Sequence, residues 1–171
     1  GGFVRDFYLN QYFSSGIVSK DVDIVTEVNS IQELQDAVIN FDSNADIRVI
    51  DSQFGRILAG VSLERFNWVN SAYPLQKEKR PKRIYVDFVI ARKEGDYKDG
   101  AHPTFLQFSS IEEDLERRDF TINSIAVNDS TGEILDLFNG INDLKCRRVA
   151  TIRDPNTTFM EHGIRILRAL R

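Results

Sequence analysis

The segment Asp21-Val22-Asp23-Ile24-Val25 constrains this chain more than any other. Residues two apart on a β-strand share a face, so Asp21 and Asp23 project together while Val22 and Ile24 point into a core. Two carboxylates side by side repel each other, and a fold accepts that cost most readily where a cation sits between them. Hard divalent ions with oxygen ligands, Mg²⁺ above all, are the natural occupants. Alone, the pattern is a weak signal that more often marks ordinary surface acids, and the rest of the chain has to decide.

A second strand raises the same question. Over Arg83–Ala91, Ile84, Val86, Phe88 and Ile90 fall on one face and Tyr85, Asp87 and Val89 on the other. Asp87 is an acid in the middle of an apolar strand, which puts it either on an exposed sheet face or in a carboxylate cluster. Between the two strands, residues 30–41 have helical spacing through Ile31, Leu34, Ala37, Val38 and Phe41, and 47–50 and 56–61 read as strands. Residues 65–83, with two prolines and Lys77, Lys79, Arg80, Lys82 and Arg83, read as an exposed loop.

The flanks are helical. Gly1-Gly2 opens a short helix over 3–13 that Ser14-Ser15-Gly16 breaks. With Arg5 beside it, the glycine pair suits a phosphate: the backbone can approach the anion, and the helix start presents free N–H groups. Asp6 either braces Arg5 or acts directly. Ser110-x-x-Glu113 is a capping box for a helix to about Arg118, and Asp119 can cap the next one. Asn128–Gly132 is a turn and Ile134–Phe138 a final strand. Thr158-x-x-Glu161 is a second capping box, predicting one helix to the chain end. On it His162, Arg165 and Arg168 form a stripe with Arg171 at its edge, opposite a buried stripe of Phe159, Ile166, Leu167 and Leu170.

With 42% hydrophobic and 28% charged residues, the composition is that of a soluble globular protein. No apolar run is long enough to span a membrane and no signal-peptide pattern is present. The lone Cys146 cannot form an internal disulfide, which points to a reducing, cytoplasmic setting. A net charge of −4 argues against a stand-alone nucleic-acid binder but not against a catalytic domain that leaves most of the polynucleotide grip to other segments. The Gly-Gly start, the single Met160 and an end inside a helical pattern suggest a piece of a longer protein.

Taken in order, the blocks GGFVRD, DVD, YVDFVIARKEGDY, EEDLERRDFTINSIAV, ILDLFNGINDL and FMEHGIRILRALR resemble the bacterial-type (class II) tRNA nucleotidyltransferases. That family includes CCA-adding enzymes, their CC- and A-adding relatives, and bacterial poly(A) polymerases. The resemblance implies an α+β fold. A polymerase-β-like nucleotidyltransferase head, a small mixed sheet with helices, would occupy residues 1–139, and an all-α neck would begin at 140–171. It implies addition of CMP and AMP, from CTP and ATP, to the 3′ end of tRNA without a template, with two Mg²⁺ ions. Single-nucleotide A addition and poly(A) synthesis remain open beside CCA addition, as does a degenerate module that only binds RNA or nucleotide. Oligomeric state is not implied.

Carried over residue by residue, the resemblance makes Asp21 and Asp23 the metal ligands and Asp87 the third catalytic acid. Gly1, Gly2 and Arg5 would cradle the triphosphate, Arg117 and Arg118 would donate to it, and Asp119 would sense the ribose 2′-hydroxyl. Asn123 either braces that loop or touches ligand, and Arg117 or Arg118 could instead pair with Glu113 or Asp114. Arg92, Glu94 and Tyr97 match a flexible loop. In the base-reading helix Arg165 matches, with Arg168 a turn beyond, but His162 stands where the family has an aspartate. A neutral imidazole has one acceptor nitrogen and cannot copy two carboxylate oxygens, so base selection is expected to be weakened or shifted.

Overall fold

The computed structural model describes residues 1–17, 19, 21–94 and 106–170, the side chains of Glu94 and Leu106 excepted. Elements follow the order α1 (Gly2–Phe13), β1 (Val22–Thr26), α2 (Ile31–Phe41), β2 (Asp46–Asp51), β3 (Arg56–Ser62), α3 (Trp68–Ala72) and β4 (Arg83–Ile90). Then come β5 (Arg92–Glu94), β6 (Leu106–Phe108), α4 (Ile111–Glu116), β7 (Ala126–Val127), β8 (Ile134–Leu135), α5 (Gly140–Lys145), α6 (Pro155–Glu161) and α7 (Ile164–Leu170). The fold is α+β, as expected.

Its centre is a four-stranded mixed sheet in the order β1-β4-β3-β2. β2, β3 and β4 form an antiparallel meander, and β1 joins the far edge of β4 in parallel. The alternation read from the sequence sets the faces. Val22 with Ile84, Val86, Phe88 and Ile90, and Ile57, Ala59 and Val61 from β3, are buried on one side, where α2 supplies Leu34 and Val38. Ser30 caps α2 by accepting from the Glu33 N–H at 3.1 Å, and the Glu33 carboxylate reaches back to the Asn29 N–H at 3.0 Å. Asp23, Val25, Leu58, Asp87 and Val89 are left on the other side.

That second face is bordered by α1 and α4, and α5 packs on α1 and the Thr121–Asn123 turn. A smaller core of Val4, Tyr8, Ile125 and Leu144, with Phe7, Tyr12 and Ile122 against it, holds α1 to the segment after Asp119. Gly140 makes this packing possible, because a Cβ there would lie 2.3 Å from the Thr121 carbonyl oxygen. Asp136 caps α5 by accepting from the Gly140 and Ile141 N–H groups at 2.7 and 2.9 Å. Thr121 in turn donates its hydroxyl to Asp143 at 2.6 Å.

Four expectations need correction. Residues 65–83 are more than an exposed loop: they carry α3 and a short 3₁₀ turn over Lys77–Lys79, and Phe66, Val69 and Tyr73 are buried. Arg80 is spent internally, donating to the carbonyls of Leu75 and Asn70. Secondly, Asp119 does not cap a regular helix. A single 3₁₀ turn over Thr121–Asn123 follows, with no side-chain cap. Thirdly, the last helix is two helices. Asp154 caps α6, accepting from the Thr157 N–H at 2.9 Å with Pro155 in the first turn, so Thr158 lies inside the helix and is fully buried. The run breaks at His162-Gly163. Ile166, Leu167 and Leu170 are exposed in this chain, whereas Arg165 is buried. Ile134–Phe138 is strand only at Ile134–Leu135.

Replacing Gly140 by alanine forces backbone to move beside the Thr121 turn and is expected to destabilise the protein by about 1–3 kcal/mol. A lower urea midpoint with an unchanged slope is the outcome that checks it.

Candidate active site

Parallel pairing of β1 with β4 puts Asp23 in register with Asp87. Cross-strand partners on one face are neighbours, so two acids far apart in sequence become adjacent, with Asp21 exposed at the strand entrance. Crowding by surrounding protein raises the Asp23 carboxyl above its ordinary value. Arg118 opposes that shift, while Asp87 and Asp21 add to it. Arg56, at the start of β3, donates from Nε to Asp87 Oδ1 at 2.6 Å.

The glycine pair meets this acidic edge. The Gly1 nitrogen donates to the Ile125 carbonyl, and a Cβ on Gly1 would lie 3.1 Å from Arg118 Nη1 and 3.8 Å from Asp23 Oδ2. Gly1, Asp23 and Arg118 share the mouth of a cleft of about 460 Å³, whose walls include Val25, Val89 and Leu115. The close approach leaves no room for a larger residue at position 1 without displacing the guanidinium.

Arg118 lines the cleft, and it and the nearby Arg5 and Arg117 are each held. Arg5 donates to Asp6 Oδ1 at 2.8 Å and to Asn123 Oδ1 at 2.8 Å, so Asp6 is its brace. Asp114, fully buried on α4, accepts from Arg117 Nη2 at 2.7 Å, Arg118 Nη2 at 3.0 Å and the Arg92 backbone N–H at 3.3 Å. Burial would raise the Asp114 carboxyl, but Arg117 and Arg118 outweigh it and hold it below the ordinary carboxylate value. Arg117 also donates to the Arg92 carbonyl at 2.9 Å. Arg118 keeps a buried Nε with no partner among the described residues.

Asn123 is a brace on both sides, donating from Nδ2 to Asp119 Oδ1 at 2.9 Å. Asp119 also accepts from the Phe120 N–H at 2.8 Å and, through Oδ2, from Arg168 Nε at 2.6 Å. Burial works against its ionisation, but Asn123 and Arg168 keep its carboxyl below the ordinary value. Arg168 therefore docks α7 on the turn after Arg118.

A second cluster forms where α6 meets α7. Glu161 receives Arg153 through two bonds of 2.8 and 2.6 Å and Arg165 Nη1 at 2.8 Å; that nitrogen also donates to the Thr158 carbonyl at 3.0 Å. His162 ends α6 in an extended conformation and is half-buried. It does not share a helical stripe with Arg165 and Arg168, because the chain turns between them. Arg92, expected in a loop, lies on β5 opposite Phe108, and its guanidinium donates to the Phe54 carbonyl at 2.8 Å. Tyr97, Arg171 and the Glu94 side chain lie outside the described residues.

Arg56 and Arg153 complete the site and were not singled out from the sequence. Asp114 was named there as a possible partner of Arg117 or Arg118 and proves to hold both, lying three and four residues before them at the end of α4. Arg56 had no readable signal, because its partner depends on strand register.

Among the described residues no three His, Cys, Asp or Glu side chains stand close enough, as they are, to hold an ion. The donor chemistry nevertheless fits a hard divalent cation. Asp21 and Asp23 offer oxygens at an open edge, Asp87 is next to Asp23, and crowding of like charge on Asp23 is what a dication relieves. No described helix is long and apolar enough to cross a membrane.

Comparison with known proteins agrees with this arrangement. The family model for the poly A polymerase head domain matches residues 1–150. Among curated proteins, the CCA-adding enzymes of Anoxybacillus flavithermus and Bacillus subtilis are 33% and 31% identical over the whole chain. The chain spans about a third of the length of those relatives (35% of each). Among solved structures, the Bacillus stearothermophilus CCA-adding enzyme in complex with CTP superposes with a TM-score of 0.63 at 27% identity. That match covers 99% of this chain and 32% of the other.

Asp114→Asn leaves two arginines without their shared carboxylate and is expected to cost about 3 kcal/mol at pH 7. Because the folded-state carboxyl lies below 3.8, the unfolded chain takes up the proton first as pH falls. The wild-type advantage over Asp114→Asn is therefore complete above about pH 5 and shrinks below pH 4, which urea unfolding across pH 3–7 reads directly.

Proposed function

The chain belongs to the poly A polymerase head-domain family, with the class II tRNA nucleotidyltransferases, and from that premise we propose that it is the catalytic head of a CCA-adding enzyme. It extends the 3′ end of tRNA with CMP and AMP, drawn from CTP and ATP, in the cytoplasm. The head takes residues 1–139, and at 140 a helical neck begins whose first helix, α5, packs back on the head. The observation that supports this reading best is the meeting of Gly1, Asp23 and Arg118 at one cleft mouth, with Asp87 beside Asp23.

The reaction forms a bond between the 3′-oxygen of the RNA and the α-phosphorus of the nucleotide. It breaks the bond to the β-phosphate, releasing pyrophosphate, and the hydroxyl gives up its proton. Asp21 and Asp23, with Asp87, would hold two Mg²⁺ ions, which when bound lower the pKa of the attacking hydroxyl and neutralise charge on the leaving group. The chain's own part is positioning. The Gly1–Gly2 backbone lets a triphosphate approach, and Arg118, with an Nε donor still unused, supplies a positive charge beside it. Arg117 and Arg5 are committed to Asp114 and to Asp6 and Asn123, so they fix that charge in place more than they touch substrate.

The base is read where α6 ends. Arg165, buried with its Nη1 spent on Glu161 and the Thr158 carbonyl, would offer its other N–H groups to the base edge, and His162 takes the place of a carboxylate acceptor. With one acceptor nitrogen in place of two oxygens, the discrimination of C and A from G and U is weaker or shifted towards A. His162 is also the observation that favours the second reading, an enzyme that adds A alone.

The full-length protein that carries this head, incubated with Mg²⁺ and a tRNA lacking its 3′ CCA, is expected to add C, C and A from CTP and ATP and then stop. Loss of the metal-holding pair in Asp21→Ala/Asp23→Ala removes several kcal/mol of charge stabilisation and is expected to slow the reaction about a thousandfold or more. A product from ATP alone would replace CCA addition by the second reading, and no product from either nucleotide would overturn both. His162→Asp is expected to raise the use of CTP and ATP relative to GTP and UTP; unchanged relative rates would remove His162 from base selection.

A further inference from the structure

Arg56 has no part in the function proposed above, yet it is bonded to one of its three acids. It begins β3, two residues before Leu58, which lies in register with Asp87. Strand alternation sends the Arg56 and Leu58 side chains to the face that carries Asp87 and Asp23. The contact from Arg56 Nε to Asp87 Oδ1 is 2.6 Å, and the side chains are 39% and 29% exposed. Across the sheet, Arg56 is itself in register with Asp51 on β2, which places a second carboxylate on the same face. Asp51 is half-buried, and its Oδ1 accepts from the Phe54 N–H at 3.2 Å. Arg56 thus stands between two acids, one belonging to the site and one outside it.

We propose that Arg56 is a positioning residue for the metal site, holding Asp87 in reserve while no cation is bound and passing to Asp51 when a divalent ion draws Asp87 in beside Asp23. This rests on the reading of Asp21 and Asp23 as metal ligands. Without a cation, Asp23 and Asp87 repel across one pair of strands, and one guanidinium offsets that repulsion. An ion pair this open to water is weak and cheap to break. A dication carries twice the charge and can be shared by all three carboxylates, so it wins the competition. Asp51 keeps the displaced guanidinium paired. Arg56 then raises the cation concentration needed to fill the site, and it keeps the empty site from splaying open.

Mn²⁺ binding to the full chain, followed by the loss of the free-ion electron paramagnetic resonance signal, tests this without turnover. Removing one unit of competing charge a few ångströms away, Arg56→Gln is expected to tighten binding about fivefold, and adding Asp87→Asn to Arg56→Gln is expected to abolish that gain. In the wild type, the Arg56 Nε–H resonance, assigned from its disappearance in Arg56→Lys, should move between chelator and Mg²⁺ saturation as its acceptor changes from Asp87 to Asp51, and Asp51→Asn should alter only the Mg²⁺-saturated position. This second measurement stands even where Arg56→Gln fails to fold. Unchanged or weaker Mn²⁺ binding in a folded Arg56→Gln protein overturns the proposal, as does an Nε–H resonance indifferent to Mg²⁺. If the wild type binds Mn²⁺ and Asp23→Asn does not, such a result removes Arg56 alone. If the wild type binds none, or Asp23→Asn binds it equally well, the metal-site reading falls too.

Discussion

The site depends on one unfavourable arrangement: two carboxylates in register on neighbouring parallel strands. Asp23 and Asp87 face the same way because β1 lies beside β4, and every charged group nearby is placed in answer to that. Arg56 takes Asp87 from one side, and Arg118 approaches Asp23 from the other, near Gly1. Arg118 would be a poor counter-charge if it swung freely, so Asp114 holds it, together with Arg117. The buried hub is neutralised by its own arginines. The exposed edge is left short of positive charge, which is the condition under which a divalent cation binds well.

The same economy joins the two ends of the described chain. Arg5 on α1 reaches Asn123, Asn123 reaches Asp119, and Asp119 receives Arg168 from α7. Each step is a side-chain bond that also satisfies a group buried or half-buried in the protein. The residues around the cleft mouth and the helix that carries Arg165 are therefore connected through one short polar chain. A shift of α7 acts on Asp119 and the turn beside Arg118 before it acts on anything else.

Much of this was legible in the sequence, for reasons that differ by element. β1, β4 and α2 each bury one face, so their alternation or helical spacing was enough. Ser110 announced its helix by capping chemistry. The 65–83 segment was misread because its basic residues dominate its composition, although Phe66, Val69 and Tyr73 anchor it in the core. At the end of the chain, Thr158-x-x-Glu161 has the spacing of a capping box, but Asp154-Pro155 starts the helix one turn earlier. Of the site, the acids and the paired arginines could be singled out by type and spacing. Asp114, the partner of both arginines, was within reach by helical spacing, but Arg56 was not, since it meets Asp87 only through strand register, and register between distant strands is not written locally.

That parallel pairing also sets an order of events. β2, β3 and β4 pair as neighbouring strands along the chain, whereas β1 must wait for its partner to arrive from across α2, β2, β3 and α3. Closing so long a loop has to be paid for in entropy before any contact rewards it, which makes such pairings late and slow. The electrostatic repulsion between Asp23 and Asp87 falls on that same final step. Folding should therefore be rate-limited by docking of β1, and cations or protons that relieve the repulsion should speed it, so that the group which serves the chemistry would also hasten the making of the site.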